Sequence, residues 1–295
     1  MAEGVILKGI GGFYYVKTED GIYECRARGR FKEQGMTPLV GDRVEIEILD
    51  TEPYKGVVDE IFPRKNTLLR PAVANVDQAV LVFAVKNPDL NRMLLDKMLV
   101  LAEFAELDCL ICFNKSDLDQ SDEIEDLQKI YGAAGYPVIR TCVKSGEGVA
   151  ELTDLLAGKI SVFSGPSGVG KSSLLNAIES KFSLETGAVS EKIKRGKHTT
   201  RHSELMQLTN GGKVVDTPGF TSLTLEDIDP EVLWTLFPEF EKYSEACRFI
   251  NCMHLNEPDC GVKGAVKSGE IDEKRYEAYD HIYREIMTIR KRGKR

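Results

Sequence analysis

Nowhere in the chain does an apolar run approach the ~20 residues a membrane-spanning helix needs; the longest, Ala79 to Val85, is the length of a strand. Also missing is an extended apolar stretch near the start, where Met-Ala-Glu-Gly-Val-Ile-Leu-Lys carries an early acid, so no secretory leader is expected. An even set of cysteines is lacking too. Seven of them suit a reducing compartment better than a disulfide framework, and a cytoplasmic location is expected. Nor is there an excess of positive charge: Lys and Arg total 39 against 47 Asp and Glu, a net −8, which by itself argues against a polyanionic partner.

What is present is ordinary for a soluble protein, with 42% hydrophobic and 29% charged residues over 295 positions, room for two or three domains. Basic residues gather locally. Arg26, Arg28, Arg30 and Lys32 alternate, and on a strand would share one face. Lys192, Lys194, Arg195, Lys197 and Arg201 form a second group, and Lys291-Arg292-Gly-Lys294-Arg295 a third. Any single group reads as a solvated surface; three on separate segments favour a polyanion.

Three segments differ in pattern. Residues 1–65 hold short runs behind turn signals: Phe13–Val16, Ile22–Cys25, Arg43–Ile48 and Gly56–Val58, which predicts a small OB-type β-barrel. Over 66–223, continuous apolar strands (78–85, 108–113, 137–142, 159–164) alternate with helices (91–107 and near 119–134). That pattern predicts a mainly parallel sheet covered on both faces, with ligands at the strands' carboxyl ends. From 224 to 295 the strands stop, and 272–290 predicts a long helix.

Gly165-Pro166-Ser167-Gly168-Val169-Gly170-Lys171-Ser172 follows an apolar strand and leads through Ser173 into a helical run. Glycines there let backbone N–H groups turn onto phosphate oxygens at a helix N-terminus. Lys171 would reach the β- and γ-phosphates, and the Ser172 hydroxyl would ligate magnesium. Asn114-Lys115-Ser116-Asp117 follows another buried strand. A carboxylate at Asp117 can accept from the ring N–H and the exocyclic amine of guanine, donors that adenine lacks, and the stem of Lys115 can lie along the base. Alone, such a tetrapeptide is a common surface turn. Val143 and Lys144, in Thr141-Cys-Val-Lys-Ser145, stand where a second base-contacting loop belongs. Downstream come His198-Thr199-Thr200-Arg201, of which Thr200 is preferred as a magnesium ligand, and Asp216-Thr-Pro-Gly219, which matches the D-x-x-G element that in GTPases holds magnesium through water and senses the γ-phosphate. Ordinary GTPases carry the base-reading motif after the phosphate loop. Here it precedes it, and the complete set is cyclically rotated, which a fold tolerates when its original termini lie close together.

Cys247-x₄-Cys252-x-His254-x₅-Cys260 offers four soft ligands, enough for a closed, structural Cys₃His zinc site. Cys109 and Cys112 lie on an apolar strand and read as core thiols.

Together these features resemble the circularly permuted, ribosome small-subunit-dependent GTPase A family of bacteria, along essentially the whole chain and including Arg26-Ala-Arg-Gly-Arg30, Gly41-Asp42 and Arg195-Gly-Lys-His198-Thr-Thr200. The resemblance implies an OB-fold, a permuted GTPase domain and a zinc-binding helical domain. It also implies a role in late maturation of the small ribosomal subunit, with binding to that subunit and its rRNA. A monomer with no membrane partner is expected. Where Ras-type enzymes place a water-orienting glutamine, Phe220 stands here, so slow intrinsic turnover is expected, with Lys171, Thr200 and His198 as catalytic candidates. Two competing readings are an ATPase or kinase, which Asp117 disfavours, and an architectural RNA-binding protein with a dead nucleotide site.

Overall fold

The computed structural model describes residues 1–69, 72–182, 184, 204–215 and 224–293. In chain order the strands are β1 (Ala2–Ile10), β2 (Phe13–Lys17), β3 (Ile22–Ala27), β4 (Arg43–Thr51), β5 (Tyr54–Ile61), β6 (Thr67–Leu69), β7 (Ala72–Ala74), β8 (Gln78–Phe83), β9 (Asp108–Asn114), β10 (Val138–Thr141), β11 (Ile160–Ser164), β12 (Leu205–Gln207) and β13 (Lys213–Val215). The helices are α1 (Gly29–Glu33), α2 (Arg92–Phe104), α3 (Glu123–Ala133), α4 (Val149–Leu155), α5 (Lys171–Ile178), α6 (Pro238–Ser244), α7 (Gly261–Ser268) and α8 (Glu273–Gly293). The chain divides into two compact units that interleave in sequence.

The first unit holds residues 1–79 and 149–164 and the described residues between 171 and 222. Its first five strands close into a barrel in the order β1-β2-β3-β5-β4. Alternation sets the inside: Val44, Ile46 and Val58 are fully buried while Arg43 and Glu60 face out. The opening strand, ahead of the Gly11-Gly12 turn, pairs with both β2 and β4 to complete the closure. The four basic residues 26–32 do not lie on one strand, so the shared face that a strand would give them does not form. β3 ends at Ala27 and α1 begins at Gly29, so the period changes midway through the run. Arg28 pairs with Glu47 and Asp59, Arg30 with Asp59, and the Arg26 guanidinium lies 4.7 Å over the Phe13 ring. The barrel's exit is pinned by Asp42, fully buried, which accepts from Leu39 N at 2.7 Å and from Arg64 Nε and Nη2 at 2.7 and 2.8 Å. In the same unit β11 runs parallel to β13, and β12 antiparallel to it. Lys8 of the barrel meets Glu204 at 2.6 Å, just ahead of β12.

In the second unit β10, β9 and β8 lie side by side, β9 and β10 parallel. β8 is buried along its whole length, as its apolar run from Ala79 onwards demands. Asn91 caps α2, its side chain accepting from Leu94 N at 3.0 Å, and Leu95, Leu99, Val100 and Ala102 form the buried stripe. At the start of α3, Asp119 accepts from Glu123 N and Ile124 N at 3.2 and 2.9 Å. The same unit contains α6, α7 and α8, whose core gathers Phe237, Phe240, Val262, Tyr279, Ile282 and Ile286 around Val100 of α2. Arg275 of α8 is buried with its guanidinium on Asp96 of α2 (2.8 Å) and Glu239 of α6 (2.7 and 3.0 Å), while Tyr131 O–H donates to Asp96 at 2.9 Å. Burial alone would lower the guanidinium's pKa; the two carboxylates outweigh it and hold Arg275 charged. Lys97–Glu285 (2.5 Å) repeats the α2–α8 link, and Arg92 of α2 pairs with Asp272, just ahead of α8, at 2.6 Å. No helix among the described residues is long and apolar enough to cross a membrane.

Candidate nucleotide site and metal centre

β9 delivers Asn114 to its carboxyl end, nearly wholly buried, and Lys115 turns the chain there with φ +62° into a short 3₁₀ turn over Ser116–Leu118. Asn114 Nδ2 donates to Val169 O at 2.8 Å, and Lys115 Nζ donates to Gly168 O at 2.7 Å and to Asn87 O. The Asn114–Asp117 tetrapeptide and the 165–170 loop, far apart in sequence, are thus bonded directly. Two of that loop's glycines are sterically required. Gly165 has φ +142° and a Cβ there would lie 2.0 Å from Val82 O; Gly170 has φ +95° and a Cβ would lie 2.5 Å from Asn114 Nδ2. Asn114 is braced from behind: Thr141 Oγ1 donates to its Oδ1 at 3.1 Å, and Thr141 in turn meets Cys112 Sγ at 3.3 Å.

Lys144 Nζ donates to Asp117 Oδ2 at 2.7 Å, and Cys142 Sγ donates to Oδ1 at 3.4 Å. The Lys144 ammonium, above all, holds the Asp117 carboxyl below its ordinary range, so it stands as an ionised acceptor. Val143 lies beside Lys144 and is half-buried. Pro166 and Ser167 belong to the same loop as the glycines. Lys171, Ser172 and Ser173 form the first turn of α5 in the other unit, and burial lowers the Lys171 pKa. His198, Thr200, Asp216 and Gly219 lie outside the described residues, as do the Lys192–Arg201 cluster and Phe220.

Cys247, Cys252, His254 and Cys260 bring one ligand atom each within 4.8 Å of one another. Cys247 Sγ and Cys260 Sγ are 3.9 Å apart, and His254 Nδ1 lies 3.5 and 3.4 Å from them. Sulfurs at about 2.3 Å from a tetrahedral zinc stand roughly 3.8 Å from each other, so the cage has the dimensions for that ion. Burial lowers the His254 pKa, which keeps the imidazole neutral and able to ligate. Two α8 tyrosines hold the cage's middle: Tyr276 O–H donates to His254 O at 2.7 Å and Tyr279 O–H to Met253 O at 2.5 Å. Cys109 and Cys112, by contrast, are buried strand thiols, burial pushing Cys112 up to about 12 and Cys109 higher. Neither is a reactive thiolate. Cys142, Asn87 and Glu147 were not legible as site residues, because each acts through a contact made by folding rather than through a motif letter.

The family model of the RsgA GTPase matches residues 61–226 and that of the RsgA N-terminal domain residues 3–58. The "small ribosomal subunit biogenesis GTPase RsgA" of Caldanaerobacter subterraneus subsp. tengcongensis is 50% identical over 290 residues, 98% of this chain and 97% of that protein. This chain belongs to the RsgA GTPase family. Its Alkaliphilus metalliredigens relative of the same name is 50% identical over 291 residues, covering 99% of this chain and 100% of that one. Among solved structures, that of YjeQ from Thermotoga maritima matches with a TM-score of 0.84 at 41% identity, covering 97% of this chain and 98% of that one. That of YloQ, described as a circularly permuted GTPase, also gives 0.84 at 40% identity, covering 98% and 96%. Membership makes the chain a GTP-hydrolysing enzyme, and the reversed order of its base and phosphate motifs is the RsgA family's permutation.

Proposed function

We propose that this GTPase binds the small ribosomal subunit and its rRNA, acts late in that subunit's maturation, and hydrolyses GTP faster when bound to it. The observation that carries the nucleotide half of this reading is the ionised Asp117 carboxylate on a loop bonded to the phosphate-loop carbonyls of Gly168 and Val169. The relatives' shared name supports the subunit as partner. Asn114 and Lys115 hold the base loop, Asp117 reads guanine, and Val143 and Lys144 close over the base. Residues 165–170 wrap the phosphates with backbone N–H groups, and Lys171 neutralises the β- and γ-phosphates. Ser172 and Thr200 are the magnesium ligands in this reading, with Ser173 on the phosphates, and Asp216 and Gly219 sense the terminal one. His198 is a candidate for orienting water, a task Phe220 cannot perform.

Zinc in the Cys₃His cage supplies a structural cross-link, since four protein ligands leave no open position. The protein works as a cytoplasmic monomer. Phosphate release from GTP should be slow alone and rise at least about tenfold with isolated small subunits, the ordinary consequence of a stabilising group supplied in trans. Equal rates with and without subunits would overturn the proposal. The ATPase reading fails if unlabelled ATP in large excess does not displace labelled GTP.

A further inference from the structure

Glu147 has no place in the nucleotide motifs, yet it touches both loops assigned to the base. Its Oε2 accepts from Ser116 Oγ–H at 2.8 Å, and its Oε1 from Arg140 Nε at 2.8 Å. Ser116, the unspecified letter between Lys115 and Asp117, is buried. Arg140 lies on β10, the strand that feeds the second loop. The Glu147 backbone closes that second loop as well, its carbonyl accepting from Cys142 N at 3.0 Å. One residue therefore ties the tetrapeptide carrying Asp117 to the loop carrying Cys142 and Lys144, the two groups that hold the Asp117 oxygens. The Arg140 pair is half-exposed and contributes little by itself. A charged acceptor on a buried hydroxyl is the stronger link.

We propose that Glu147 is a positioning residue for guanine recognition, fixing the Asp117 carboxylate so that it meets the ring N–H and the exocyclic amine of guanine together. This rests on the reading of Asp117 as the base acceptor. Two parallel hydrogen bonds demand a narrower orientation than one, so a loosened carboxylate forfeits the second bond first.

The test compares dissociation constants for GTP, ITP and ATP on the full chain. Inosine lacks the exocyclic amine and needs only one bond from Asp117. Wild type should prefer GTP over ITP by about tenfold or more. Glu147→Ala should weaken GTP binding by about tenfold and ITP binding by about threefold or less, narrowing the ratio. Glu147→Gln keeps an acceptor for Ser116 and should restore most of the ratio. Ser116→Ala should reproduce Glu147→Ala, and the double variant should be no worse than either single one, because all three remove the same bond. Equal losses for GTP and ITP in Glu147→Ala, additive losses in the double variant, or an unchanged ratio would each overturn the proposal. A wild type that binds GTP, ITP and ATP alike would instead overturn the base assignment of Asp117 and take this proposal with it.

Discussion

At Asp117 both carboxylate oxygens have side-chain partners, Lys144 on one and Cys142 on the other. That pairing has a pH consequence with a definite sign. A carboxyl whose pKa is depressed stays ionised through the range where a free Asp, near 3.9, would protonate, and loses its charge only below it. The preference for GTP over ITP, in which phosphate protonation cancels, should therefore persist down to about pH 4, as isothermal titration at intervals would read; its loss by half at that pH would contradict the pairing. Exchanging the acceptor pattern is a harsher test. Asp117→Asn should lose GTP affinity by about a hundredfold while gaining xanthosine triphosphate, whose carbonyl stands where guanine has its amine. The glycine at 170 admits no side chain, since a Cβ would press on the amide of Asn114, so Gly170→Ala should abolish binding rather than weaken it.

Among the elements, those positioned by an unmistakable period were legible from residues alone: β8 and β9 as apolar runs, α2 as a stripe, the cage by ligand spacing. Arg26–Lys32 misled because alternation in a basic run carries no burial signal to fix its period, and the chain turned helical at Gly29. The Asp96–Arg275–Glu239 node was invisible for a different reason. Its members are far apart in sequence, and a buried arginine on an amphipathic helix looks like any surface one until α2, α6 and α8 are packed. Removing one partner strands buried charge. Arg275→Met should cost roughly 3–5 kcal/mol in urea unfolding, and Asp96→Asn with Glu239→Gln in the Arg275→Met background should recover part of it. A loss below 1 kcal/mol would mean that the packed aromatic core, not the ions, joins α8 to α2. With zinc in the cage, as proposed, chelation should melt α6–α8 before the barrel, seen as a separate low-temperature transition by calorimetry.

For the whole molecule, the rotation of the motifs has a mechanical reading. Asp216–Gly219 runs in sequence towards the helices that carry the Cys₃His cage, and those helices are bonded to α2, in the unit that also holds the Asn114–Asp117 loop. Affinity for small subunits should consequently differ by at least about tenfold between the GTP-analogue and GDP states, a coupling of the usual allosteric size. Equal co-sedimentation in both states would remove that link. The GTPase activity was legible because its motifs are contiguous in the sequence. The loops' mutual bracing was not, because Glu147 and Cys142 acquire their roles only when β9 and β10 lie side by side. The most direct measurement is a crystal structure of the chain with magnesium and a non-hydrolysable GTP analogue. The account predicts one nucleotide, its guanine ring N–H and amine on Asp117 and its terminal phosphates on Lys171; those two side chains facing separate cavities, or a base turned away from Asp117, would contradict it.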